Sequence, residues 1–161
     1  MSNIRVFTHP HPINDSAIDA TILVPVVEAV YSDHYDYEQV PASAIDRNLY
    51  RLQTSPLLVR DLNLDDIVMA DDNGIFVELV KDSGKFGFRI GMEIHHEDHD
   101  ELQKYDKVVE KLKELDCDIE FYSRQLVGVV AKNRWKARKV QKKLLRLVDE
   151  GLIIGVETNR A

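Results

Sequence analysis

The chain has one cysteine, seven glycines and five prolines in 161 residues. A single thiol, Cys117, cannot form an intramolecular bridge, so a disulfide framework is excluded and a reducing, cytoplasmic setting is expected. The scarcity of glycine and proline rules out collagen-like and low-complexity architectures. Long hydrophobic runs are also missing. The best, residues 20–30, contains Pro25 and Glu28 and is about half the roughly 20 residues of a membrane helix, so no membrane partner is expected. The first fifteen residues are polar, with His9-Pro10 and His11-Pro12, and hold no apolar segment behind a basic start. A secretory leader is therefore not expected there, although this stretch is the one whose composition leaves room for flexibility. Signature loops of acyl and phosphoryl transfer are absent too: Gly84, Gly87 and Gly91 match neither Gly-x-Gly-x-x-Gly nor a Walker loop, and there is no Gly-x-Ser-x-Gly.

What is present suits a globular domain, at 44% hydrophobic and 30% charged residues. In the first part, residues 21–27 are rich in β-branched side chains and residues 49–52 alternate as a strand does. Ile67-Val68-Met69 and Ile75-Phe76-Val77 flank Asp71-Asp72-Asn73-Gly74, which predicts a hairpin. After a turn at Asp82-Ser83-Gly84, Phe86, Phe88 and Ile90 alternate with Gly87, Arg89 and Gly91, the pattern of a half-buried strand over 86–94.

Near residue 95 the periodicity becomes helical. Leu102, Tyr105, Val108, Val109, Leu112 and Leu115 share one face, and Ala137, Val140, Leu144, Leu147 and Val148 repeat that spacing up to Gly151, a candidate cap. Between these helices, 119–121 and 126–130 read as two strands around Ser123-Arg124-Gln125, and 152–156 reads as the last strand. From Phe86 the order is strand, helix, strand, strand, helix, strand, the split βαβ arrangement of ferredoxin-like folds. The expected class is α+β. A β-rich unit over 1–94 precedes a ferredoxin-like half over 86–161, with two helices on an antiparallel sheet and a core shared with the first unit.

Three groups of residues could carry function. His95, His96 and His99, set among Glu93, Glu97, Asp98 and Asp100, are the side chains that Zn²⁺ prefers. However, His96-Glu97-Asp98-His99 is one residue short of the His-Glu-x-x-His spacing that puts both imidazoles on one helix face. A solvated connection with Asp98 or Asp100 capping the next helix is the plainer reading, and no cofactor is expected unless a divalent metal binds there. Paired carboxylates at Asp65-Asp66 and Asp71-Asp72 fall at turns, where Asp is common for conformational reasons. The second group is basic. Residues 132–161 carry net charge +6 while residues 1–131 carry −13. The positive charge concentrates at Lys132, Arg134, Lys136, Arg138, Lys139, Lys142, Lys143 and Arg146, around Trp135 on the second helix, and suits a nucleic-acid partner or merely a solvated helix face. The third group is acidic and aromatic: Tyr31, Asp33, Tyr35, Asp36, Tyr37 and Glu38, where aromatic anchors ringed by charge suit a protein partner.

Tyr50-Arg51-Leu52, Ser55-Pro56-Leu57-Leu58 and Leu62-Asn63-Leu64-Asp65-Asp66-Ile67-Val68 resemble the bacterial family known as domain of unknown function 4265, over residues 37–158. The resemblance implies a short β unit followed by a ferredoxin-like half and brings no catalytic residues. Where family members often have Gly before the Asp of the Asp-x-Val element, this chain has Asp65. By size and acidity the chain is also similar to immunity proteins that neutralise bacterial toxins, an analogy and no more. The expectation is thus a non-enzymatic, cytoplasmic protein that binds a toxin domain, such as a basic nuclease, through its acidic pole. A nucleic-acid-binding module acting through the basic helix is the alternative, and a metal-dependent enzyme at the histidine cluster is a second.

Overall fold

The computed structural model describes residues 3–27, 34–92, 94 and 98–158. The chain divides into two compact units, one ending at Ser83 and the other beginning at Gly84. The division precedes the periodicity change at residue 95 because the strand that opens at Phe86 belongs to the second sheet.

In the first unit, β1 (Val6–Phe7), β2 (Ala20–Pro25), β3 (Tyr37–Asp46), β4 (Leu49–Leu52), β5 (Ile67–Ala70) and β6 (Phe76–Lys81) form one sheet. Strands β2 to β6 pair antiparallel in sequence order, and β1 runs parallel to β3. In a five-strand meander the first and last strands point the same way, so a sheet that curls onto itself can close only in parallel. That contact is present: Leu23 bridges Ile75, with Leu23 N–H donating to Gly74 O at 2.9 Å. Ile22, Val24, Val40, Ala42, Leu52, Val68 and Ala70 fill the inside, following the two-residue period of their strands. The predicted hairpin forms as β5 and β6. Its turn is organised by Asp71, whose Oδ1 accepts from the N–H groups of Asn73 (2.9 Å) and Ile75 (3.0 Å).

Strand β3 is absent from the sequence reading, since Pro41 lies in its middle and proline normally argues against an inner strand. It brings Glu38 onto the same face as Val40 and Ala42, and all three are fully buried. The Glu38 carboxylate meets the long connection between β4 and β5. It accepts from the backbone N–H groups of Leu57 (2.6 Å), Leu58 (2.8 Å) and Val59 (2.9 Å), and His9 Nε2 lies 2.7 Å from its Oε1. The same connection is held by Ser55 Oγ, accepting from Leu64 N–H at 2.8 Å. Asp66 adds two contacts, its oxygens accepting from Asn63 and Ser83 N–H, each at 2.8 Å. An irregular segment buried this deeply needs such partners for its amides. The N-terminal stretch is tied down as well, through β1, His9 and a bond from Asn14 N–H to Gln53 O at 3.1 Å.

The second unit comprises β7 (Phe86–Gly91), α1 (His99–Lys113), β8 (Asp118–Phe121), β9 (Leu126–Ala131), α2 (Arg134–Asp149) and β10 (Gly155–Thr158). Its sheet order, β10-β7-β9-β8, is antiparallel throughout and gives the ferredoxin-like arrangement. Phe88, Ile90, Val127 and Val129 from the sheet pack with Val108 and Leu112 of α1 and with Val140 and Leu144 of α2. Both helices open on side-chain caps: Asp98 accepts from Glu101 N–H and Asn133 from Lys136 N–H, each at 2.9 Å.

Two readings need correction. The last strand begins at Gly155 rather than residue 152. Gly151, at φ +72°, ends α2 in a Schellman turn, with Gly151 N–H bonded to Val148 O and Leu152 N–H to Leu147 O, and this exit consumes the residues before the strand. Strand β7 ends at Gly91, and it is more than half-buried, for Gly87 and Arg89 are enclosed along with the apolar positions. Two buried charges lie on that face, Arg89 and Glu120, which both pair with Gly128, and the exposed Glu157 pairs with Arg89, its Oε2 3.9 Å from Arg89 Nε.

Replacing Glu38 by Gln keeps the shape but turns one acceptor into a donor facing backbone amides. The denaturant midpoint of Glu38→Gln should report a loss of about 3 kcal/mol, as for a buried charge network with one partner broken. Glu78→Gln, on the exposed strand β6, should leave the midpoint nearly unchanged.

Candidate functional site

The acidic-aromatic group is largely engaged within the fold. Glu38, expected among partner contacts, is instead buried as described, because its place on β3 puts it on the inner face. Tyr35 is half-buried and stands edge-on to Phe7, with centroids 5.2 Å apart. Asp36 is clamped to Arg5: its Oδ2 accepts from Arg5 N–H at 2.8 Å, its own N–H donates to Arg5 O at 2.9 Å, and the guanidinium lies 3.5 Å from Oδ1. That backbone hydrogen bond, aided by the guanidinium, holds the Asp36 carboxyl below the usual carboxylate range. Tyr37 sits in β3 between Val6 and Pro25. Tyr31 and Asp33 lie outside the described residues.

The histidine group cannot be assembled from what is described, since His95 and His96 also lie outside those residues. His99 opens α1 as an exposed residue, its ring nitrogen 3.1 Å from Gln103 Nε2. Among the described residues no cluster of three or more metal-ligating side chains forms.

The basic group is brought together. Helix α2 buries Ala137, Val140, Leu144 and Leu147, which turns Arg138, Lys139, Lys142, Lys143 and Arg146 toward solvent. Trp135 belongs to this outer face and is 63% exposed, with Lys139 Nζ 3.8 Å from its ring centroid, one turn further along. At the start of the helix, Arg134 lies over the Phe86 ring at 5.9 Å. Lys136 pairs with Asp116, and Lys132 approaches the same carboxylate at 3.6 Å. The Lys136 hydrogen bond, followed by the charges of both lysines, lowers the Asp116 carboxyl from its ordinary value. Two lysines are thus partly neutralised, while five cations on the outer face lie along a helix with no acid in its first turn.

Beside this face, α1 and α2 leave a groove made of two recesses. One, about 220 Å³, is bordered by Lys111, Lys143 and Arg146 over Leu144 and Leu147. The other, about 230 Å³, is bordered by Trp135, Lys136, Lys139 and Lys143 over Leu115 and Val140. Glu114, Leu115 and Lys143 line both, so the recesses are neighbours. The contribution of α1 through Lys111 and Glu114 was not visible in the sequence. The outward position of Trp135 was, because it falls outside the buried series 137, 140, 144 and 147.

Below the groove, Cys117 is half-buried, its thiol donating to Leu115 O at 3.5 Å. Desolvation, reinforced by Asp116 and Asp118, pushes this thiol up to about 11.

The sequence model of DUF4265, a domain of unknown function, matches residues 38–154. The chain belongs to this family. Within the matched span, Ser55, Leu57, Leu58, Leu64 and Asp66 all serve the connection around Glu38 in this DUF4265 chain. Asp65 stands at φ +65°, a left-handed conformation that glycine adopts freely and Asp tolerates. In three dimensions the chain is similar to the crystal structure of a hypothetical protein from Neisseria gonorrhoeae. The TM-score is 0.66 at 17% identity, over 89% of this chain and 95% of that one, and the likeness is one of fold alone. No curated protein matches the chain. Among the described residues no helix is long and apolar enough to cross a membrane.

A raised thiol pKa keeps Cys117 protonated at neutral pH, so maleimide labelling of the folded protein should be slow at pH 7 and accelerate up to pH about 11. The same shift makes its contribution to stability complete below the unfolded thiol value and lost as pH rises through about 11. Labelling at pH 7 as fast as that of a free thiol would contradict this assignment.

Proposed function

We propose that this chain is a non-catalytic cytoplasmic protein that binds nucleic acid through the outer face of α2. The observation that carries the reading is the exposed stripe of Arg138, Lys139, Lys142, Lys143 and Arg146 around an exposed tryptophan, with only Lys132 and Lys136 drawn off by Asp116. Phosphate contacts of this kind supply affinity by releasing counterions, and an acidic remainder confines contact to the helix. The eight helical steps from Arg138 to Arg146 span about 12 Å, which suits a short tract of backbone.

The toxin-neutralising reading remains as a second proposal, favoured by the net charge of −13 over residues 1–131, which would steer a basic effector domain. Since Glu38 is buried and Asp36 clamped, its contacts would have to lie on other acids of that region. Co-purification with a toxin domain encoded beside this chain supports it, and failure with every neighbouring toxin removes it.

For nucleic-acid binding, the logarithm of affinity should fall linearly with the logarithm of salt, with a slope of about −3.5 to −4.5 for five cations. Reversing Lys139, Lys142 and Lys143 to Glu should abolish binding in a filter or anisotropy assay while leaving the circular dichroism spectrum intact. Binding that survives this reversal would sink the reading.

A further inference from the structure

We infer that the ligand of the α2 face is single-stranded nucleic acid, with one base stacked on Trp135 beside the recess between the helices. This inference rests on the nucleic-acid reading and adds to it the strand state and the residue that recognises it. A cation stripe by itself serves any polyanion, so the added weight falls on the indole. Trp135 is a large apolar side chain left 63% exposed at the end of a row of cations, more exposed than Leu145 (49%) on the same helix. An exposed indole gains most from a flat partner, and unpaired bases offer one, whereas the bases of a duplex are already stacked on each other.

The surroundings fit a nucleotide in three respects. Lys139 Nζ covers one face of the ring, 3.8 Å from its centroid, so the base would stack on the opposite face while the ammonium supplies a counter-charge for its phosphate. The recess of about 230 Å³ opens alongside, floored by Leu115 and Val140, and is roomy enough for the edge of a base. Of the two acids on its rim, Asp116 is neutralised by Lys132 and Lys136, and Glu114 is a hydrogen-bond acceptor for exocyclic amino groups. Lys142, Lys143 and Arg146 continue the track for the following phosphates, and the length of the stripe limits it to a few nucleotides.

Trp135 is the only tryptophan in the chain, so its fluorescence reports this site and no other. Titrating the full chain at low salt with a short oligothymidylate should quench that fluorescence, and a blunt duplex of equal length should bind at least tenfold more weakly. Trp135→Ala should weaken single-strand binding about tenfold in an anisotropy assay that does not depend on the tryptophan, and Trp135→Phe should restore most of it. If both strand states bind equally and Trp135→Ala changes nothing, while the triple lysine reversal still abolishes binding, the inference falls and the polyanion reading stands. If neither oligonucleotide binds at low salt, both fall. A blue shift with anionic phospholipid vesicles, without quenching by the oligonucleotide, overturns the inference in favour of a membrane surface.

Discussion

A single buried carboxylate governs the first half of this molecule. Glu38 has no contact with water, and three consecutive backbone amides and an imidazole converge on its two oxygens. The connection between β4 and β5 is long and irregular, and without an acceptor its amides could not be buried. Because Glu38 stands in β3, fixing the connection also fixes it against the strand that β1, β2 and β4 share. The sheet then closes through Leu23 and Ile75 around an apolar interior. One side chain thereby joins local backbone, sheet and terminus.

The second half works on a different principle. Its stability comes from two amphipathic helices laid on a sheet, each started by a side-chain cap and each burying one stripe. Such a layer dictates what faces outward as firmly as what faces inward. Once Val140 and Leu144 are committed to the core, the cations and Trp135 have no choice but solvent. The candidate surface is therefore a by-product of the packing, sharpened by lysine and arginine on most of the outward positions.

How much of this was legible in the sequence depended on periodicity. Helical spacing at Leu102 to Leu115 and at Ala137 to Val148 gave both helices, and the turn at Asp71 to Gly74 gave the hairpin, because those signals are local. Strand β3 was not legible: Pro41 argued against it, and the alternation of Glu38, Val40 and Ala42 places a charge where an apolar residue is expected. Missing that strand led directly to reading Glu38 as a surface contact. The last strand slipped by three residues for a related reason, since Leu152 and Ile153 are apolar yet belong to a helix exit whose hydrogen bonds reach back to Leu147. The basic face of α2 could be read from the helix period alone. Its groove could not, for that requires knowing which residues of α1 lie alongside.

The family match starts at residue 38, the very position of the buried carboxylate, and stops at 154. Its first residue is gripped by His9, which lies outside that span, and β1, β2 and β10 lie outside it too. A chain trimmed to the recognised stretch would lose the imidazole from its central acceptor, the strand that closes the first sheet and an edge strand of the second. What is recognised in sequence here is smaller than the two sheets it belongs to.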